Sequence, residues 1–317
     1  MGVADRCFLS KRYIDYLLWC YDKQLDAGID GFYVDEAYVF PQTNPELSLV
    51  RDYKDRVIPE MNILETRELI KRMAYLLDSR KRPEQLLVIH FTNTNIVPIL
   101  AFATIGLDWE YNIETNMLDY VPLDHIRAHS TGLQAGFVPM TIVRPRLPKK
   151  PPQISNQEYL TEYQRIYRTG LALMYQHEIS SFQQIFGDYT EAWKGRYVLW
   201  AFGTHKENCD FIPYYSKDKK FSVSGDFIVG AYKRGNSMLF IVTNLGDEAE
   251  TVLTIDRSSL SIDKNAAIMD AMTGEKLSWE PECRLKVAQR EYRFVFVGSQ
   301  DYGEMLTPPP VDRRFIK

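Results

Sequence analysis

The sequence predicts an α/β chain of two textures, a parallel sheet covered by helices and then an antiparallel β-sandwich. Three observations carry this prediction. From about residue 10 to 205, apolar runs of strand length alternate with stretches of helical periodicity. The strands of that region are apolar on both faces, as strands buried between helices are. From about residue 210 the period changes to two, with turn signals at hairpin spacing.

The elements follow in order. "YIDYLLWCYDKQLDAG" (13–28) spaces its apolar residues by three and four and stops at Gly28, a good C-terminal cap. "GFYVDEA" (31–37) is a strand, "ETRELIKRMAYLLDSRK" (65–81) a helix and "QLLVIHFTN" (85–93) a strand. "IGLDWEYN" (105–112) reads as a strand end, "DHIRAHSTGLQ" (124–134) as a helix and "AGFVPMTIV" (135–143) as a strand. "NQEYLTEYQRIYRTGLALMYQ" (156–176) is a long helix, and "HEISSF" (177–182) a short last strand. The Pro/Lys-rich "RPRLPKKPPQ" (144–153) is a loop inside this region.

Alternation of this kind points to a (β/α)8-type (TIM) barrel over residues 1–207, with its chemistry at the carboxyl ends of the strands. Five strands are visible where eight are needed, and the opening helix would follow a third strand that is absent. The first strands are therefore expected to be missing, since an incomplete barrel leaves apolar strand edges bare. Either the chain is a piece of a larger protein, which is the expectation adopted, or a partner chain supplies the rest, or the sheet is open. Residues 208–317 read as the antiparallel β-sandwich, with "RGNS" and "NLGDE" as its hairpin turns and "QDYGEMLTPPPVDRRFIK" as an extended strap.

Composition excludes several classes. Of 317 residues, 45% are hydrophobic and 25% charged, the balance of an ordinary globular protein. A net charge of −4 argues against nucleic acid as a partner. No apolar run approaches the roughly 20 residues of a membrane span, and "MGVADRCFLSKRY" lacks a signal-peptide core. Cys7, Cys20, Cys209 and Cys283 are scattered, which speaks against a zinc ribbon or a disulfide scaffold. His125 and His129 are four apart on a predicted helix, but no third ligand has suitable spacing, so no metal is expected. No GxSxG elbow, phosphate loop or dinucleotide fingerprint appears, and no cofactor is expected. Aromatic residues make up 13% of the chain, and aromatic rings stack well on sugar faces and bases.

The strand ends carry the chemistry. Asp35 and Glu36 stand where the first strand runs out, His90 to Asn95 follow the second, Asp108 and Glu110 end the third, and Met140 to Arg144 the fourth. "AGIDGFYVDEA" resembles the fourth-strand motif of glycoside hydrolases, G-[IV]-D-G-x-Y-x-D, whose last Asp is a catalytic carboxylate. "IHFTNTNIVPILAFATIGLDWEYN" and "IRAHSTGLQAGFVPM" resemble the later strands of a bacterial group classed with glycoside hydrolase family 123. The resemblance implies a carbohydrate-active hydrolase of a bacterium, exported to the periplasm or beyond, degrading polysaccharide without a cofactor. It is also compatible with inactivity in this fragment alone.

Glycoside hydrolysis needs two carboxyl groups flanking the anomeric carbon. By strand count Asp35 ends strand four while Asp108 and Glu110 end strand six, the positions at which glycosidases of the α-galactosidase clan hold nucleophile and acid/base. The first expectation is a retaining double displacement, with Asp35 attacking and Glu110 donating the proton. Asp108 is the substitute acid, because residues 108 and 110 share one face of a strand. In the second, Asp35 and Glu36 act as the adjacent pair of family 123 N-acetylhexosaminidases. There Asp35 steadies the substrate's own acetamide and Glu36 protonates the leaving group. That arrangement works only where the strand has ended by Asp35, since strand neighbours point to opposite faces. A glycan-binding scaffold with a degenerate site is the third reading. Tyr33, Tyr38, Trp109 and Tyr111 are candidate ring faces for sugar, Tyr33 and Trp109 being equally readable as core residues. His90, Asn93 and Asn95 are candidate hydroxyl partners, His90 being equally readable as a satisfied buried histidine. Arg144 is a candidate for an acidic sugar's charge or a solvated loop residue.

Overall fold

The structure, a computed structural model, describes residues 10–35, 37, 39, 41–42, 44, 50–81, 85–91, 96–129, 135–147, 150, 153, 155–182, 190–247, 249–279 and 282–309. The chain divides into two compact units, Met1–Glu110 with Arg127–Ile142, and Tyr111–Ile126 with Val143–Lys317.

In the first unit, helix α1 (Lys11–Asp26) begins where the Ser10 side chain accepts the Tyr13 N–H at 3.3 Å. It ends at Gly28, whose φ of 96° turns the chain. Strand β1 (Gly31–Val34) follows, then a short antiparallel pair, β2 (Pro41–Gln42) with β3 (Glu60–Met61). Helix α2 (Ile63–Ser79), strand β4 (Leu86–His90), the single turn α3 (Val97–Leu100), strand β5 (Ile105–Ile113), helix α4 (Leu123–His129) and strand β6 (Val138–Pro145) complete this stretch of chain. β1 pairs parallel with β4 from Gly31 opposite Leu86 to Val34 opposite Ile89. β4 pairs parallel with β5 from Val88 opposite Ile105 to His90 opposite Leu107. Ile14, Leu18 and Leu25 of α1 and Leu69, Ile70, Met73 and Leu77 of α2 form one core with Phe32, Leu87 and Ile89 of the strands. Residues that alternate with these, Tyr33, Val88 and His90, therefore face the other side of the sheet.

Helix α5 (Asn156–Tyr175) is fixed by a capping box, with Ser155 and Glu158 each bonding the other's backbone N–H. Strand β7 (Ser180–Ser181) and helix α6 (Thr190–Phe202) follow. The sheet order is β1-β4-β5-β6-β7, so the five expected strands are present in one sheet. A closed barrel is not formed among the described residues. β7 is two residues rather than six, and β6 runs on through Arg144, which therefore lies within a strand instead of a loop.

The sandwich comprises β8 (Asp210–Ile212), β9 (Phe221–Val223), β10 (Phe227–Arg234), β11 (Ser237–Asn244), β12 (Glu250–Ile255), β13 (Ala267–Asp270), β14 (Cys283–Lys286) and β15 (Tyr292–Gly298). Its sheets are ordered β13-β15-β11-β10-β8 and β14-β12-β9, antiparallel throughout. Met238, Phe240 and Val242 of β11 face the other sheet, while Leu239 and Ile241 pack with Leu171 and Tyr175 of α5 and Phe202 of α6. Buried on both faces, β11 reads as a continuous apolar run. Gln176 fastens α5 to it, donating to the Ile241 carbonyl (2.6 Å) and the Thr243 hydroxyl (2.9 Å).

Part of the expected strap is helical instead. Helix α7 (Gln300–Leu306) packs Gly303 against Met269 and Phe296 and buries Leu306 completely. Residues 310–317 lie outside the described residues. No helix among the described residues is long and apolar enough to cross a membrane.

Candidate active site

β1 ends at Val34, so Asp35 sits in the turn that leaves the strand. Carrying the β1–β4 register one step further sets Asp35 beside His90, the last residue of β4. The imidazole Nδ1 lies 2.7 Å from Asp35 Oδ1, and the Tyr33 phenol donates to the same oxygen at 3.1 Å. Tyr33 Oη and His90 Nδ1 are 2.9 Å apart. A carboxylate has no proton to give, so the short contact puts the imidazole proton on Nδ1, where it serves Asp35 and the phenol oxygen together. The His90 side chain is 5% exposed and that of Asp35 62%, which makes a buried donor beneath a carboxylate that water can reach. The Ala37 N–H bonds the His90 carbonyl at 2.9 Å, holding the outgoing chain over the end of β4.

Electrostatics adds a second acid. Tyr33 is held well above the ordinary range of a phenol, first by burial, then by the charge and hydrogen bond of Asp35, and then by the charge of Glu110. The phenol therefore stays protonated and stays a donor to Asp35. Carboxylates from the turn after β1 and from β5 thus both contribute to this rise.

Asp108 goes elsewhere. Its Oδ2 lies 3.4 Å from His129 Nε2, and both residues are buried. The Trp109 ring stacks on the same imidazole, centroids 5.9 Å apart. Neighbours on a regular strand would part to opposite faces. Here both meet His129, Asp108 through its carboxylate and Trp109 through its ring. The Trp109 carbonyl accepts the Thr141 hydroxyl of β6 at 2.7 Å. Tyr111 is buried, at the start of the second unit, and Arg144 is half-buried in that unit. Glu36, Tyr38, Asn93 and Asn95 lie outside the described residues. Among the described residues no cluster of three His, Cys, Asp or Glu side chains could hold a metal ion.

The direct Tyr33–Asp35 bond went unforeseen. Its signal is present in "YVD", where residues two apart on an extended chain share a face.

No protein-family model matches the sequence, and no curated protein matches it. Solved structures to which the chain is similar are glycoside hydrolases. An α-amylase from Anoxybacillus aligns with a TM-score of 0.49 at 10% identity, over 92% of this chain and 64% of that one. A noncanonic maltogenic α-amylase from Thermotoga neapolitana aligns at 0.47 and 12% identity, over 91% and 66%. A family 30 endoxylanase from Clostridium papyrosolvens C71 aligns at 0.39 and 10% identity, over 91% and 70%. The chain spans just under two thirds of the length of the two amylases. Likenesses this distant specify neither substrate nor catalytic residues, because one fold hosts many chemistries. They are to glycoside hydrolases at large, and membership of family 123 is not shown.

Proposed function

We propose that the chain carries the catalytic centre of a glycoside hydrolase, with Asp35 as nucleophile and Glu110 as acid/base. The supporting observation is the Asp35–His90–Tyr33 cluster at the ends of adjacent parallel strands, with the Glu110 charge reaching Tyr33. Two donors on one carboxylate oxygen favour its ionised form, which a nucleophile requires. In the first step Asp35 bonds to the anomeric carbon while the glycosidic C–O bond breaks and Glu110 protonates the leaving oxygen. In the second, water attacks that carbon, Glu110 takes its proton, and the bond to Asp35 breaks, with net retention.

Turnover of an aryl glycoside by the full-length protein, before and after Asp35→Asn, is the test. The expected loss is at least about 10²-fold, the lower range for a positioned catalytic group, with glycan binding retained. Unchanged turnover removes Asp35 from the mechanism. Glycan binding without hydrolysis by the unaltered protein establishes the scaffold reading instead.

One observation favours a second reading, the substrate-assisted N-acetylhexosaminidase using Asp35 and Glu36. β1 ends before Asp35, so the opposed facing of strand neighbours does not bind this pair. On this reading only 2-acetamido sugars react, and a thiazoline mimic of the cyclised intermediate inhibits.

A further inference from the structure

A cavity of about 350 Å³ lies wholly within the second unit, far along the chain from Asp35. Its size falls at the lower end of the roughly 300–1,000 Å³ typical of small-molecule sites. Arg168 of α5, Lys194 of α6, Lys286 of β14 and Arg293 of β15 line it, together with Asp270, Glu275 and Glu291. Four cations and three carboxylates line it, and a fourth carboxylate, Glu250, contacts Lys286 from outside the lining.

The two guanidinium groups are held in place. Arg293 Nε bonds Asp270 Oδ2 at 2.5 Å, and the same guanidinium pairs with Glu275. Asp270 Oδ1 already accepts the backbone N–H groups of Met272 and Thr273, each at 2.8 Å. Arg168 Nε bonds Glu291 at 2.9 Å while its guanidinium lies 5.1 Å over the Tyr292 ring. Arginines fixed this way keep a planar fork of donors in one orientation, which is how carboxylate and sulfate groups are recognised at low entropic cost. Lys286 contacts Glu250 at 3.5 Å with both side chains largely in water, an ion pair of little worth that a ligand can replace.

We propose that this cavity binds one acidic sugar residue, its carboxylate or sulfate held by the lysines and guanidiniums and its hydroxyls by the polar wall. The preference for an anion stands on the cavity alone. The choice of a sugar as its carrier rests on the glycoside-hydrolase reading above. The site would then hold an acidic glycan through residues other than the catalytic carboxylates.

Isothermal titration of the whole chain with glucuronate, glucose 6-sulfate, glucose and inorganic sulfate, at roughly 50 mM and 200 mM salt, tests this. Glucuronate or glucose 6-sulfate is expected to bind where glucose does not, more weakly at the higher salt. Which of the two binds more tightly identifies the anion. Lys194→Met with Lys286→Met is expected to weaken binding by about tenfold or more, with the melting temperature unchanged. Should that double variant fold poorly, Lys286→Glu alone changes only an exposed side chain and is expected to weaken binding in the same direction. Acidic sugars binding no better than glucose, or lysine variants binding as tightly as the parent, would overturn the site. Inorganic sulfate binding as tightly as the acidic sugars would overturn the sugar assignment. An Asp35→Asn chain that loses hydrolysis and keeps glucuronate binding separates this proposal from the one above.

Discussion

At the head of β1, two protons serve three heavy atoms, Asp35 Oδ1, Tyr33 Oη and His90 Nδ1. Removing one donor changes the carboxylate without removing it. Tyr33→Phe is therefore expected to lower kcat by about tenfold or more, since a hydrogen bond to a charged acceptor is worth roughly 1.5–3 kcal/mol. Losing a donor to the ionised form makes that form less favourable, so the acid limb of the pH–rate profile should move to higher pH. An unmoved limb would mean that the phenol only packs. Asp108 offers the opposite case. Its contact with His129 is buried, so His129→Ala should cost about 1–3 kcal/mol in a denaturant melt while turnover per folded molecule stays near the parent value. A large loss of kcat at full stability would return Asp108 to the mechanism.

At the level of elements, the site depends on how closely β1 and β4 approach. A Cβ on Gly31 would sit 2.3 Å from the Leu86 carbonyl oxygen, and a backbone atom has nowhere to move. Gly31→Val should separate the two strands and carry Asp35 away from His90. We expect a stability loss of about 1–3 kcal/mol with a fall in kcat beyond what unfolding explains, read by paired melting and initial-rate measurements. In the sequence this glycine is only the first residue of a predicted strand. Its necessity comes from a neighbour 55 residues further along the chain. Helix α6 shows the reverse difficulty. Trp193, Tyr197 and Trp200 take one face and Val198 and Phe202 the opposite one, so the one-sided stripe that betrays a helix is missing.

For the molecule as a whole, acidity should matter through Glu178. Burial pushes its carboxyl up, with the Tyr232 hydrogen bond opposing. A folded-state value above the unfolded one gives stability that is fully present below the ordinary glutamate range and is lost as pH rises through the raised value. Melting temperature should therefore fall along that rise. Glu178→Gln, which keeps the shape and cannot ionise, should remove this part of the slope and be the more stable chain at neutral pH. A slope unchanged by the substitution would assign the pH dependence to other groups. Each unit has its own core, one formed by α1, α2 and the parallel strands, the other by the sandwich with α5, α6 and α7. Attachment of α5 and α6 to the sandwich was not readable from their position between apolar strands. It depends on β11 having a second apolar face to cover.

By itself the sequence determined the parallel strands and their order and the antiparallel sandwich. Each of these is written in a local period, a glycine or a cap, and local signals survive without knowledge of the fold. Only the tertiary structure decided that His90 and Tyr33 hold Asp35, that Asp108 meets His129, and that Arg168 and Arg293 share a cavity. Those relations depend on strand register and on elements distant in the chain meeting in the fold, and no spacing along the sequence encodes them.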